Sequence, residues 1–442
     1  MIKKNLGLAF ISLGLIALLG GLLFGSIAAL QFVFPGTLDS LPFYKNRPLH
    51  VSLVVAWVFL SSVGGIYYYL PKFIGAPLHS ERAGRIHFYI FILTGILVIF
   101  SYFFGKFGGR EYWEFPPILA IPIFISWIMF GWNYFKTVFT TAKNWPVYQW
   151  MWGTGIFFFL FTFTESYLWV LPYFRNNVVR EITVQWKANG ALVGSWNMLI
   201  YGTAIFVMEK IKGDNSISRT KIAFLTYLLG LTNLMFGWAH HIYNLPTEQW
   251  IRYFSYLISM TELILLAKII WNWKSTLSES KKDFHILSYR FLVAADIWIF
   301  INLTLALLIS IPAINLFTHG THITVAHAMG SMIGINTMIL LASCFFIISD
   351  AADKNYTPGE EKTIKRGYWI FNTSLLVFFV CLIIAGAEKG IGIVVEKLSF
   401  AEVMAKINPI LIVFTFSGFV MFVGILMVVI PPLKKAISQL RK

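Results

Sequence analysis

Long runs rich in Leu, Ile, Val and Phe recur along this chain, separated by short polar connections. About twenty apolar residues, at 1.5 Å of helical rise each, cross the hydrocarbon core of a bilayer. Twelve such runs fit, at about 6–33, 48–70, 85–105, 118–140, 147–172, 187–209, 221–243, 251–273, 288–315, 322–348, 368–387 and 407–431. A membrane interior offers no water to backbone groups, so each run is predicted to be a helix. The pattern predicts one all-α, polytopic domain over residues 1–442, a bundle of about twelve transmembrane helices. The first run, Leu6 to Val33, is too long for a signal-peptide core and lacks a small-residue cleavage pattern. It is read as a retained span.

Composition agrees: 57% of residues are hydrophobic and only 12% charged, which excludes an ordinary soluble fold. The net charge of +15 could suggest nucleic acid. The basic residues instead stand in short connections between apolar runs, where they orient a membrane protein, so membrane lipid is expected and nucleic acid is not. With both termini cytoplasmic, about 24 of the 35 Lys and Arg fall inside and about 11 outside. His50, Glu111, the His240–His241 pair and His319 then lie towards the outer face. The two cysteines, Cys344 and Cys381, sit inside apolar runs, and no Cys-x-x-Cys-His occurs, so no haem is expected to be covalently attached. No Gly-rich phosphate loop and no soluble domain is visible.

Ionisable groups inside membrane spans are costly and mark function by default. The tenth run opens with Thr-His-Gly-Thr-His-Ile-Thr-Val-Ala-His-Ala-Met-Gly, Thr318 to Gly330. His327 and Met329, two apart on a helix, point to nearly opposite sides. One helix can therefore offer an axial ligand to each of two haems, imidazole to one and thioether to the other. A hydrogen-bonded membrane histidine beside a packing methionine satisfies the same pattern. His50, after Arg47-Pro48-Leu49, is either a ligand or an interfacial histidine. His240 and His241 end the seventh run and could both reach one metal if the backbone leaves helical geometry there. Two nitrogens alone do not complete a site. Glu262 is a carboxylate within the eighth run, suited to carrying protons or to being a buried neutral acid. Glu111 and Glu114, in Gly108-Gly-Arg-Glu-Tyr-Trp-Glu-Phe, form a solvated loop or a place for Ca²⁺ or protons.

Together these motifs resemble the large subunit of cytochrome-c-dependent nitric oxide reductase, in the haem-copper oxidase superfamily. The resemblance runs from Arg47 to about Ser349 and rests on the order and spacing of five motifs. It implies twelve spanning helices in a bacterial inner (cytoplasmic) membrane, respiratory electron transport and a place in denitrification. It implies that His50 holds a low-spin haem b and His327 a high-spin haem b. By the same match, His240 and His241 are two of three histidines on a non-haem Fe or Cu. Glu111 matches a Ca²⁺-binding acid, and Glu114 and Glu262 match acids that deliver protons.

The chain departs from that family in three places. Where the family has His-x-His, this chain reads His327-Ala-Met329, so Met329 is expected as the second ligand of the low-spin haem. The third metal histidine is replaced by Asn189 or Gly190. The carboxylate expected four residues later is Val193 or Gly194, and Asn197 is the nearby polar candidate. The expected activity is reduction of NO to N2O. A terminal oxygen reductase of the same superfamily is the alternative, although the tyrosine of high-affinity oxidases, six residues before the His pair, is Leu234 here. A catalytically silent haem protein that senses or buffers NO is a third reading. The partner implied is a membrane-anchored cytochrome c-type small subunit or a soluble electron donor, with a gaseous substrate.

Overall fold

The computed structural model describes residues 5–141, 144–260, 269–271, 273–275, 278–352 and 356–441. It is a helical bundle. The long helices are α1 (Leu6–Val33), α2 (Phe43–Phe73), α3 (Glu81–Phe103), α4 (Ala120–Thr141), α5 (Val147–Glu165) and α6 (Val178–Lys212). They continue as α7 (Lys221–Phe236), α8 (Gln249–Ser259), α9 (Ile286–Ser310), α10 (His322–Ala352), α11 (Pro358–Val394) and α12 (Phe400–Arg441). Among the described residues, ten helices are long and apolar enough to cross a membrane. α5 and α8 supply the other two expected runs; residues 261–268 of the eighth run lie outside the described set.

Ends differ from the hydropathy pattern for local reasons. The ninth helix stops at Ser310 rather than 315, because Pro312 excludes helical geometry just before it. α11 begins about ten residues early: Thr357 and Glu360 form a reciprocal cap that starts the helix in polar sequence. Hydropathy sees only the apolar middle of such a helix.

Helices meet through small residues and buried hydrogen bonds, the two devices that hold helices together in lipid. A Cβ on Gly7 would lie 2.6 Å from the Gly64 carbonyl, so α1 and α2 approach backbone to backbone. α10 runs through the centre, and Met338 to Ile348 is continuously buried. Trp57 Nε1 donates to Thr337 Oγ1 at 3.1 Å, Tyr69 and Ser343 share a bond of 2.6 Å, and Tyr68 donates to Asp350 at 2.5 Å. The Trp57–Thr337 pair precedes the two tyrosine pairs in both helices, so α2 and α10 run in the same direction. Asn336 Nδ2 donates to Asn197 Oδ1 at 3.1 Å and ties α6 to the same helix.

The interior of α10 is not α-helical throughout. Gly330–Thr337 forms a π-helical stretch, with Thr337 Oγ1 bonded to the Met332 carbonyl at 2.8 Å. Widened turns of this kind gather at functional sites. This one begins immediately after Met329.

Candidate haem and metal site

His50 stands on α2 with Nδ1 at 2.7 Å from the Gly21 carbonyl of α1. A carbonyl only accepts, so Nδ1 carries the proton and Nε2 keeps its lone pair. That is how a second partner poses an imidazole for a metal. Gly25 completes the cradle: a Cβ there would lie 2.6 Å from His50 Nδ1. Met329 starts from another helix. His50 lies seven residues before Trp57, and Met329 eight before Thr337. At 1.5 Å per α-helical residue, and less through the π-helical stretch, both stand roughly 10 Å from the Trp57–Thr337 bond, on the same side of it. The two side chains therefore share one level of the bundle.

His327 precedes Met329 by two residues and faces the other way. Its Nδ1 is enclosed without a hydrogen-bond partner. His240 and His241 lie on a 3₁₀ turn, Gly237–Ile242, that follows α7. Leaving α-helical geometry brings the two rings to centroids 4.2 Å apart, and each Nδ1 lacks a partner. Trp186 of α6 stacks on His241 at 4.7 Å and 11°. His319 stands 6.4 Å from His241. Burial lowers the His319 pKa below its ordinary 6.5, against a hydrogen bond to the His241 backbone that raises it. His240, His241 and His319 thus converge from two segments. Sequence reasoning placed His319 at this face without giving it a role, although it stands in the motif that opens α10.

α6 supplies the opposite wall. A Cβ on Gly190 would lie 2.6 Å from Trp238 Cβ, and one on Gly194 would lie 2.7 Å from Leu234 Cγ. No side chain fits at either position, so α6 touches α7 at two glycines four residues apart. Asn189 is the polar residue beside that contact. It is buried; its Oδ1 accepts from Gln185 at 3.3 Å and its Nδ2 has no partner. Asn197, two turns further on, is engaged with Asn336.

Glu111 and Glu114 converge on Arg47, three residues before His50. Arg47 Nη2 lies 3.3 Å from Glu111 Oε1, and Nη1 contacts Glu114 Oε1. One guanidinium between two carboxylates leaves a single net negative charge, so Ca²⁺ would compete with Arg47 for Glu111. The loop is anchored by Arg110, which bonds Glu181 at 2.7 Å and covers the Trp169 ring at 4.1 Å. Burial and then the Glu111 charge push the Tyr112 hydroxyl up to about 12. Glu262 lies outside the described residues.

Residues 5–420 match the family described as cytochrome c and quinol oxidase polypeptide I. The chain belongs to this family. Among known relatives, a nitric oxide reductase subunit of Stutzerimonas stutzeri is 24% identical over 404 residues, spanning 85% of this chain and 82% of that protein. A cytochrome c oxidase subunit 1 homolog of Agrobacterium tumefaciens (strain T37) is 22% identical over 441 residues, spanning 92% and 78%. Cbb3-type cytochrome c oxidase subunit CcoN1 of Stutzerimonas stutzeri is 21% identical over 437 residues, spanning 92% and 89%. In three dimensions, a haem-copper terminal oxidase solved as a dimer by cryo-electron microscopy has a TM-score of 0.78 at 13% identity. That match covers 98% of this chain and 83% of that one. These relatives support the haem-copper bundle; their own substrates differ.

Membership of this family implies haems and a metal site, and the two fit unequally. The posed His50 imidazole and its glycine cradle suit haem ligation. The His pair offers two nitrogens. Among the described residues no group of three or more His, Cys, Asp or Glu is set to hold a metal ion. That donor set is short of what a hard iron ion takes.

Proposed function

We propose that this chain is the haem-bearing subunit of a nitric oxide reductase-like respiratory enzyme. Two NO, two electrons and two protons give N2O and water. The observation that carries this reading is Leu234. It occupies the position where the resemblance would place the tyrosine of a high-affinity oxidase, and it is buried against Gly194. No phenol can stand beside the His pair from there. The relative that names nitric oxide reductase agrees, while the two oxidase relatives make oxygen the second candidate substrate.

His50 and Met329 would hold the electron-entry haem, and His327 the haem that meets the gas. When bound, these haems supply the reducible iron. The protein's part is placement. α6 and α7 close on each other at Gly190 and Gly194, and holding two gas molecules beside that contact would lower the entropic cost of their meeting. Asn189 Nδ2, buried without a partner, would be a hydrogen-bond donor available on α6. Glu262 and Glu114 would pass protons. Arg47 holds the Glu111–Glu114 loop over His50, at the face where a cytochrome c-type subunit or soluble donor would dock. In this reading the protein lies in a bacterial inner membrane with both termini cytoplasmic.

The purified protein, supplied with reduced cytochrome c, should consume NO at an electrode and release N2O measurable by gas chromatography. Oxygen consumption without N2O would replace this reading by oxygen reduction. Two bound haems with neither activity would favour an NO-sensing or NO-buffering protein.

A further inference from the structure

We propose that the C-terminal end of α12 seats the phosphate headgroup of an anionic phospholipid, held by Lys434, Ser438 and Arg441. The seat stands whichever gas the haem site reduces.

α12 is longer than a bilayer needs. Its 42 residues extend roughly 63 Å, against a hydrocarbon core of about 30 Å. The exposed apolar side chains of the span end at Ile430, and Pro431 and Pro432 follow. Lys434 stands four residues beyond Ile430, about 6 Å, at the depth of the headgroup layer. The last turns are packed. Ala436 is fully buried, and Gln439 Nε2 donates at 3.4 Å to the Ala352 carbonyl at the end of α10. At 100° per residue, positions 436 and 439 share the face turned to α10, and positions 434, 437, 438 and 441 share the opposite one. On that opposite face Lys434, Ile437, Ser438 and Arg441 line a groove of about 540 Å³.

The polar groups of the groove are unpartnered. Among the described residues, Lys434 and Arg441 enter no ion pair, and Ser438 Oγ has no hydrogen-bond partner. Their charged neighbours are engaged elsewhere. Lys435 lies over the Tyr356 ring at 4.0 Å. Glu360 caps α11, accepting from the Thr357 backbone at 2.8 Å and from its hydroxyl at 3.1 Å. The C-terminus of a helix carries about half a negative charge, which repels an anion, but two full positive charges outweigh it. Side chains lean towards the N-terminus of their helix, so Arg441 leans back towards Ser438 and the bilayer. Two cations on either side of a hydroxyl suit the oxygens of a phosphodiester. Ile437 gives the glycerol and the first acyl carbons an apolar wall. Basic residues at a membrane surface can serve only to orient the chain. Orientation needs charge alone, and Lys362, Lys365 and Arg366 at the start of α11 already supply it. A hydroxyl and an apolar wall set between the cations serve a bound headgroup.

The test uses the full-length, haem-loaded protein, stripped of lipid in a neutral detergent and titrated with dioleoyl phosphatidylglycerol. Bound lipid is counted by native mass spectrometry. Lys434→Gln with Arg441→Gln should weaken the tightest binding about 30-fold, since each cation near a membrane surface contributes about fivefold. Ser438→Leu, which fills the groove and keeps its charge, should weaken it about tenfold through loss of a hydrogen bond to a charged group. Lys365→Gln with Arg366→Gln removes the same charge from the neighbouring helix and should leave that binding unchanged. All five positions are exposed, so the fold is kept in every variant. Equal loss in the two double variants would overturn the seat in favour of general surface charge. Equal retention of dioleoyl phosphatidylcholine would overturn it as well. So would displacement of the lipid by millimolar inorganic phosphate, which would assign the groove to a free anion.

Discussion

Gly25→Ala tests whether His50 is the posed ligand that its contacts suggest. The added Cβ would stand 2.6 Å from His50 Nδ1, 2.8 Å from Cε1 and 3.2 Å from Cγ. Unstrained contacts of this kind lie at roughly 3.5 Å, so the ring must withdraw by nearly an ångström. That movement breaks the 2.7 Å bond to Gly21, the contact that fixes the tautomer. Overpacking costs about 1–3 kcal/mol and a lost buried hydrogen bond about 1 kcal/mol. At about 1.4 kcal/mol per tenfold, low-spin haem should bind about 30- to 1000-fold more weakly. The assay is haem content and the low-spin absorbance after dialysis against a haem-scavenging protein. Gly20→Ala is the control, since its Cβ would meet only the flexible end of Leu53, at 3.2 Å. A Gly25→Ala protein that keeps its full low-spin complement under that challenge would refute the assignment of His50.

Three further outcomes are expected. Met329→Leu should lose the low-spin spectrum and keep a CO-reactive haem, and Met329→His should restore low-spin haem at a lower midpoint potential, because thioether favours ferrous iron; an unchanged spectrum in the leucine variant would exclude Met329 as ligand. Asn189→His should raise non-haem metal content in elemental analysis, whereas Gly190→His should reduce the folded yield, because Trp238 leaves it no room; equal behaviour of the two variants would refute the packing argument. Glu262→Gln should leave both haem spectra intact and slow turnover at least tenfold, and unchanged turnover would make Glu262 structural.

The bundle was legible because a bilayer imposes one rule on every span, and among the described residues ten helices long and apolar enough to cross a membrane obey it. Element ends were less legible, since caps such as Thr357–Glu360 extend helices into polar sequence that hydropathy ignores. The convergence of His240 and His241 was readable from their adjacency at a helix end, and Gly237 opens the turn that unites them. The Arg47 clamp was not readable: it joins residues 64 and 67 positions apart, and nothing local to either acid signals its partner. The π-helical stretch was hidden for a different reason. Its sequence, Gly-Ser-Met-Ile-Gly-Ile-Asn-Thr, has no local mark of a wider turn. Its neighbours do: Asn302 packs on Gly330, and Trp298 on Gly334, from α9.

The departures on α6 are one physical change. A histidine at 189 and an acid at 193 would project from α6 towards α7 and need an ion between them to balance the buried charge. Here Asn189 and Val193 are neutral, and Gly190 and Gly194 stand beside them. Neutral small residues let α6 close directly on Trp238 and Leu234, and the Trp186 ring takes up the His241 face. The His pair is then held by packing and by its 3₁₀ turn rather than by a full ligand set. His50, by contrast, has its posing carbonyl and its glycine. If the haems are held as proposed, gas chemistry at this site would rest on their irons rather than on an ion between α6 and the His pair. Asn189→His discriminates: more metal with no gain in turnover supports haem-centred chemistry, and a large gain would mean that the His pair still awaits its ion.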